Sequence, residues 1–189
     1  LNAVIGYSAL LVDGIAGQLN TTQFDYITRS RAAAEHLLSL INDILDLSKI
    51  EAGKMPVHIE RVRLPELIRE VAEQVEPMIS MRDLGFSAIV APDCPVVETD
   101  KTKIKQILLN LLSNAVKFTN RGSVNLGVRP DGDSIVLEVQ DTGVGIKAEE
   151  MEAIWEDFRQ LDQSRTRSFG GTGLGLGITR RLTQQLNGT

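Results

Sequence analysis

Three short stretches, far apart in the chain, carry side chains and glycines whose types and spacing could do chemistry on one ligand. In Asn110-Leu-Leu-Ser-Asn114-Ala-Val-Lys117-Phe118-Thr119, two amides and an amine recur at i, i+4 and i+7. On a helix they share one face. A neutral amide gives Mg2+ one oxygen, and the ion draws its other ligands from water and phosphate. Lys117 adds a point charge for phosphate oxygens. Asp141-Thr-Gly143-Val-Gly145 offers a carboxylate that accepts from the exocyclic amine of adenine, with glycines that let the backbone approach the ring. Gly170-Gly171-Thr172-Gly173-Leu174-Gly175-Leu176 sets glycines just before a helix, whose first amides carry the partial positive charge that suits phosphate. Each stretch alone also has a plainer reading, as surface amides, a turn after a strand, or a flexible loop. Together they describe a site for ATP and Mg2+.

The other familiar phosphate signatures are missing. Gly53-Lys54 is followed by Met55 and lacks the upstream glycine of a P-loop, and Gly173-x-Gly175-x-Gly177 does not keep the dinucleotide-binding spacing.

The elements that position these residues follow from periodicity. Residues 22–52 form the longest helical pattern, with Phe24, Ile27, Ala34, Leu37, Leu38, Ile41, Ile44, Leu45 and Leu47 at three- and four-residue steps. Thr21 or Thr22 can cap its start, and Gly53 with Pro56 stops it. Residues 1–12 repeat that character, and the turn-rich 13–20 segment joins the two into a helical hairpin. Two helices alone bury little, so the hairpin either packs on the rest of the chain or pairs with a second copy as half of a four-helix bundle; the length of its stripe favours the bundle.

From Met55 onward the pattern changes. Residues 57–62 alternate as a strand, and 64–81 have helical spacing broken by Pro77. Residues 85–90 and 96–99 are short strands, and 101–118 form an apolar-striped helix. Residues 124–128 and 135–139 make a hairpin around Pro130-Asp-Gly132. A short helix over 147–155, a polar stretch and a last helix to Leu186 complete an α+β fold.

Composition excludes several classes. At 189 residues, 42% hydrophobic and 24% charged, the chain has the make-up of a folded soluble protein. A net charge of −5, with Lys and Arg dispersed, gives no footprint for nucleic acid. No run of about 18 apolar residues spans a membrane. The single Cys94 has no His or Cys at metal-ligand spacing and fits a reducing cytoplasm. The start without Met, inside an apolar pattern, is that of a piece of a longer protein.

The combination of motifs resembles the sensor histidine kinases of two-component signalling. Residues 110–119 look like that family's N box, 141–145 its G1 box, Trp155-Glu-Asp-Phe158 its F box and 171–176 its G2 box. Upstream, Leu1-Asn-Ala-Val-Ile-Gly-Tyr-Ser resembles the stretch after the H box, and residues 40–54 resemble the end of the second dimerisation helix. The resemblance implies a dimerisation and histidine-phosphotransfer hairpin over 1–54, truncated at its start. It also implies a Bergerat-type α/β sandwich that binds ATP over 55–189, truncated at its end.

On that resemblance Asn114 would hold Mg2+ with Asn110 beside it, and Asn110 and Lys117 would work at the phosphates. Asp141 would select adenine. Phe118, Gly143, Gly145, Ile146 and Phe158 would line the nucleotide, with Gly171, Thr172, Gly173, Leu174 and Gly175 around its phosphates. Residues 159–170 would be an ATP lid, with Arg165 or Arg167 approaching the γ-phosphate. The phosphate-accepting His would lie just before Leu1, so no catalytic residue is expected within 1–189. His36 and His58 do not replace it, because phosphoryl transfer depends on in-line positioning. The sequence stops at Thr189 where relatives continue into a final hairpin of the sheet, which leaves either an open sheet edge or a hairpin lying beyond these residues, and Gly177 stands where Ala is usual.

The implied activity is γ-phosphoryl transfer from ATP to a histidine, then relay to an aspartate on a response-regulator receiver domain, in the cytoplasm of a protein that is free to be membrane-tethered. The alternatives are a non-catalytic dimeric ATP-binding pseudokinase module and an ATP hydrolase of the gyrase-like kind. The hydrolases carry Glu where Asn110 stands, and an amide is a poor base.

Overall fold

The computed structural model describes residues 1–159 and 172–189. Backbone contacts divide the chain into two units, Leu1–Met55 and Pro56–Thr189.

The first unit is a hairpin of α1 (Asn2–Val12) and α2 (Thr21–Glu51). Its long arm starts at Asn20, whose side chain accepts from Gln23 N at 2.9 Å while Asn20 N donates to Gln23 Oε1 at 3.0 Å. This reciprocal capping box needs a carboxamide or carboxyl three residues on. Gln23 completes it for Asn20, so Thr21 and Thr22, the expected caps, fall inside the first turn. The arm ends as expected: Gly53 takes φ 63° and Lys54 N donates back to Lys49 O at 2.9 Å. Thirty-one residues give a rod of about 46 Å. Leu37, Ile41 and Ile44, at i, i+4 and i+7, are 40–47% exposed, an apolar stripe on one face.

The second unit runs β1 (Glu60–Arg63), α3 (Leu64–Ser80), β2 (Gly85–Val90), β3 (Val96–Thr99), α4 (Lys101–Phe118), β4 (Ser123–Asp131), β5 (Ser134–Asp141), 3-10 turns at Ala148–Glu150 and Ala153–Trp155, then α5 (Gly175–Gln185). β4 is the centre of a mixed sheet, parallel to β2 with Gly85 opposite Ser123, and antiparallel to β5 with Leu126 opposite Val139. β1 and β3 form a separate antiparallel ladder. Alternation sends Val124, Leu126 and Val128 of β4 inward. There they join Leu67, Ile68, Val71, Val75 and Ile79 of α3 and Leu108, Leu112, Ala115 and Val116 of α4. A fully buried leucine such as Leu67, Leu108 or Leu112 contributes about 2 kcal/mol by removal from water. The core thus fixes α4 against the sheet and leaves its remaining face for the site.

Four expectations are corrected here. The first strand starts at Glu60, not 57, because His58 N is committed to the Asp100 carboxylate at 2.9 Å instead of a ladder. Pro77 does not break its helix, which continues to Ser80. Val75 and Ile79, both buried on either side of it, hold the last turn, where the lost N–H of proline removes a single bond. The 147–155 segment is two 3-10 turns instead of a helix. None of its residues is fully buried, and a helix this short needs a packed face. In the hairpin, Pro130 and Asp131 pair with Ile135 and Ser134. The turn is Gly132-Asp133, with Gly132 at the positive φ of 59° that a two-residue loop uses.

Candidate functional site

α4 is the strut on which the site is built. Asp100 caps its start, accepting from Lys103 N at 3.0 Å. The same buried carboxylate takes His58 N at 2.9 Å and faces Lys103 Nζ at 3.4 Å. Lys103 Nζ also donates to Pro56 O at 2.7 Å. Burial alone would raise the Asp100 carboxyl, but the two N–H donors and the Lys103 charge outweigh it and hold it below its ordinary value.

The 141–145 loop docks on the other end of α4. Val144 N reaches Phe118 O at 3.4 Å. A Cβ on Gly143 would stand 2.5 Å from that carbonyl, so glycine is what permits the approach. Asp141 Oδ1 accepts from Gly143 N at 2.8 Å, which orients the carboxylate and leaves its second oxygen at an exposed position. Thr142 Oγ1 accepts from Ser123 N at 2.9 Å and ties the loop to the first residue of β4. Gly145, with φ 67°, has open space where a Cβ would stand, and Ile146 beyond it is exposed.

The start of α5 meets the middle of α4. Asn110 Nδ2 donates to Thr179 Oγ1 at 2.7 Å, and a Cβ on Gly175 would fall on the Asn110 amide. Leu174 is fully buried beneath, and its N–H donates to Thr172 Oγ1 at 3.0 Å. Gly173, at φ 71°, backs onto Phe158 and Arg159; a Cβ there would stand 2.8 Å from the Phe158 carbonyl carbon. Phe158 itself sits at φ 61°. Asp157 forms a two-pronged pair with Arg181 of α5, at 2.8 and 2.7 Å, and Gly177 lies against the Asp157 carboxylate.

Asn110, Asn114 and Lys117 are all half-buried on α4. Asn114 has no side-chain hydrogen bond among the described residues. Lys117 Nζ lies 4.9 Å from the Phe118 ring centroid, and burial holds its amine below the ordinary lysine value. Arg165 and Gly171, with the rest of the 160–171 stretch, lie outside the described residues. His36 is an exposed residue of α2, and the His58 side chain is exposed too.

Sequence reasoning gave no role to Thr179, Arg181, Asp100 or Lys103, and held Asp157 and Thr142 only as members of the 155–158 and 141–145 motifs. Asp100 had a local signal, an acid three residues before a main-chain donor at a helix start. Thr179 is 69 residues from Asn110, and no local pattern joins them. Among the described residues no group of three or more His, Cys, Asp or Glu is placed to hold a metal. A divalent ion here would therefore rely on neutral amide oxygen and on its ligand's own phosphates. Nor is any described helix long and apolar enough to cross a membrane.

Known proteins with this pattern point one way. Residues 99–189 match the model of the histidine kinase-, DNA gyrase B- and HSP90-like ATPases, and residues 1–53 match the His Kinase A (phospho-acceptor) domain. The circadian input-output histidine kinase CikA of Synechococcus elongatus is 40% identical over 97% of this chain and 25% of its own length. Sensor protein GacS of Pseudomonas syringae is 36% identical over all of this chain and 21% of its own. The chain thus spans about a quarter or less of these curated relatives. Among solved structures, full-length ShkA in complex with AMPPNP superposes with a TM-score of 0.80 at 32% identity, over 98% of this chain and 38% of that one. The nucleotide-free catalytic domain of histidine kinase ThkA gives 0.60 at 30% identity, over 68% of this chain and 82% of that one.

Proposed function

The chain belongs to the sensor histidine kinases, and on that premise we propose that it binds ATP with Mg2+ where α4, the 141–145 loop and the start of α5 meet. Its parent protein would use that site to move the γ-phosphoryl group to a histidine imidazole. The observation that carries this reading is that one helix, α4, is held by the 141–145 loop at Phe118 and by α5 at Asn110. Residues that share a chemistry on paper thus lie on one helix or on segments docked against it.

The residues fit such a ligand. Asp141 would accept from the adenine amine with the oxygen that Gly143 does not engage, and Gly145 leaves open space beside the ring. Lys117 would meet phosphate, and a half-buried amine gains more from an anionic partner than an exposed one. Asn114 would give Mg2+ an amide oxygen, with Asn110 next to it. When bound, the ion would neutralise charge on the phosphate oxygens. Phe118, Ile146 and Phe158 would supply apolar contact, and the backbone from Thr172 to Gly175 would face the phosphates.

A hydrolase is disfavoured by Asn110 itself. An amide is a poor base, and its nitrogen is already spent on Thr179.

We assign 1–54 to a dimerisation and phosphotransfer hairpin and 55–189 to the nucleotide-binding domain. The exposed stripe of Leu37, Ile41 and Ile44 supports pairing with a second copy. The receiver domain of a response regulator would be the phosphoryl acceptor downstream, and a reaction that draws on ATP would run in the cytoplasm.

Calorimetric titration of the chain with a non-hydrolysable ATP analogue and Mg2+ tests the site. The wild type is expected to bind, and Asp141→Asn to weaken adenine recognition by at least about tenfold, since the amide keeps an acceptor for Gly143 but loses the charge. Equal affinity in the two proteins counts against the assignment of Asp141.

A further inference from the structure

The C-terminal end of α4 closes without a glycine cap. A helix leaves its last four carbonyls without partners in its own ladder, and a glycine in the left-handed region commonly resolves them. Here the residue after the helix is Thr119, in extended conformation, and no glycine follows until Gly122. All four carbonyls are nevertheless met. Ala115 O takes Thr119 N at 3.0 Å. Val116 O and Lys117 O both accept from Arg82 Nη1, at 3.2 Å each. Phe118 O takes Val144 N of the 141–145 loop at 3.4 Å.

Arg82 therefore stands in for a helix stop. It sits in the turn between α3 and β2, 34 and 35 residues before the carbonyls it engages, and reaches them half-buried. A cation at a helix C-terminus is favoured by the dipole as well as by its hydrogen bonds. The turn it holds is the one that carries Lys117 and presents Phe118 O to the loop of Asp141 and Gly143.

We propose that Arg82 is a positioning residue of the nucleotide site: by holding the last turn of α4 it sets the geometry of both Lys117 and the 141–145 loop without touching the ligand. This rests on the nucleotide reading above. Removing the guanidinium leaves two carbonyls to water or to a frayed turn. The amine that meets phosphate and the loop that meets the base then lose their common anchor. The effect on binding exceeds what the small loss in overall stability would give, because the native fold retains its core of α3, α4 and the sheet.

The test uses the 189-residue chain and a non-hydrolysable ATP analogue with Mg2+. Affinity is measured by calorimetry, and stability by urea unfolding, for wild type, Arg82→Ala, Arg82→Lys, Lys117→Met and the Arg82→Ala/Lys117→Met double variant. Arg82→Ala is expected to bind about five- to tenfold more weakly while still unfolding cooperatively. Arg82→Lys, which keeps a donor and the charge, is expected to recover part of that loss. The double variant is expected to bind less weakly than the product of the two single losses, because both act through one turn. Should Arg82→Ala fail to fold, the Arg82→Lys variant carries the affinity comparison. Unchanged affinity in a folded Arg82→Ala, or losses that multiply independently, overturns the proposal and leaves the nucleotide site standing. A wild-type chain that fails to bind the analogue overturns the nucleotide reading and this inference with it.

Discussion

Gly175, the first residue of α5, lies directly against the side-chain amide of Asn110 in the middle of α4, with no room for a Cβ between them. Gly175→Ala is expected to push the Asn110 amide aside and weaken binding of Mg-ATP by roughly tenfold. Alanine favours a helix over glycine by about 1 kcal/mol, so thermal stability is expected to hold. Calorimetry and a melting curve on the same sample separate the two, and an unaltered affinity would mean that Asn110 is not part of the site.

Lys117 should show opposed effects on stability and function. Its folded-state pKa lies below its ordinary value because burial disfavours the charge. Between the folded and unfolded pKa values the unfolded chain binds more protons, so stability rises with pH through that window, up to about 10.4. At neutral pH the charged amine is a burden. Lys117→Met is expected to melt at the same or a higher temperature than wild type, to lose the extra stability gained on moving from pH 7 toward 10, and to bind nucleotide about tenfold more weakly.

Asp100 shows the acid counterpart. Its folded-state carboxyl is held below its ordinary value, so its contribution is present above the unfolded pKa and fades as pH falls through the folded one. Asp100→Asn leaves the buried Lys103 ammonium without its counter-charge and is expected to destabilise the chain by about 3 kcal/mol at pH 7. Urea unfolding of the two proteins should converge as the pH drops well below 4. A gap that stays constant down to acid pH would show that the carboxylate charge is not what holds the residue.

The apolar stripe on α2 predicts its own partner. Ile41→Lys places a charge between Leu37 and Ile44, and light scattering is expected to show the mass fall from dimer to monomer. Nucleotide affinity is expected to be unchanged, since these residues belong to the first unit. A wild type that is already monomeric at micromolar concentration refutes the dimer.

Elements with a strong apolar period were legible in the sequence. The long helix, α4 and the strands at Gly85–Val90 and Val96–Thr99 appeared where alternation or a 3.6 period placed them. Boundaries set by a tertiary hydrogen bond were not legible, as the late start of β1 shows: His58 N is engaged by Asp100, 42 residues on. The 3-10 turns after β5 carried helical spacing without the buried face to sustain a helix. Within the site, the glycines and amides were readable because each motif is local. Arg82, Thr179 and the partnership of Asp157 with Arg181 were not, since each contact reaches across 24 to 69 residues; Asp157 was legible as part of the 155–158 motif, its partner was not.

The order in which strands and helices pair also bears on when the site can exist during synthesis. The β4–β5 hairpin closes over two residues and forms in microseconds, whereas β2 pairs with β4 over a span of 38 residues, exemplified by Ser87 and Asn125, and closes more slowly. The contact between Asn110 and Thr179 spans 69 residues, and α5 leaves the ribosome after α3, α4 and the strands of the sheet. A nascent chain can thus acquire its sheet and two covering helices before α5 reaches its place against Asn110, so the proposed nucleotide site is completed only after the core.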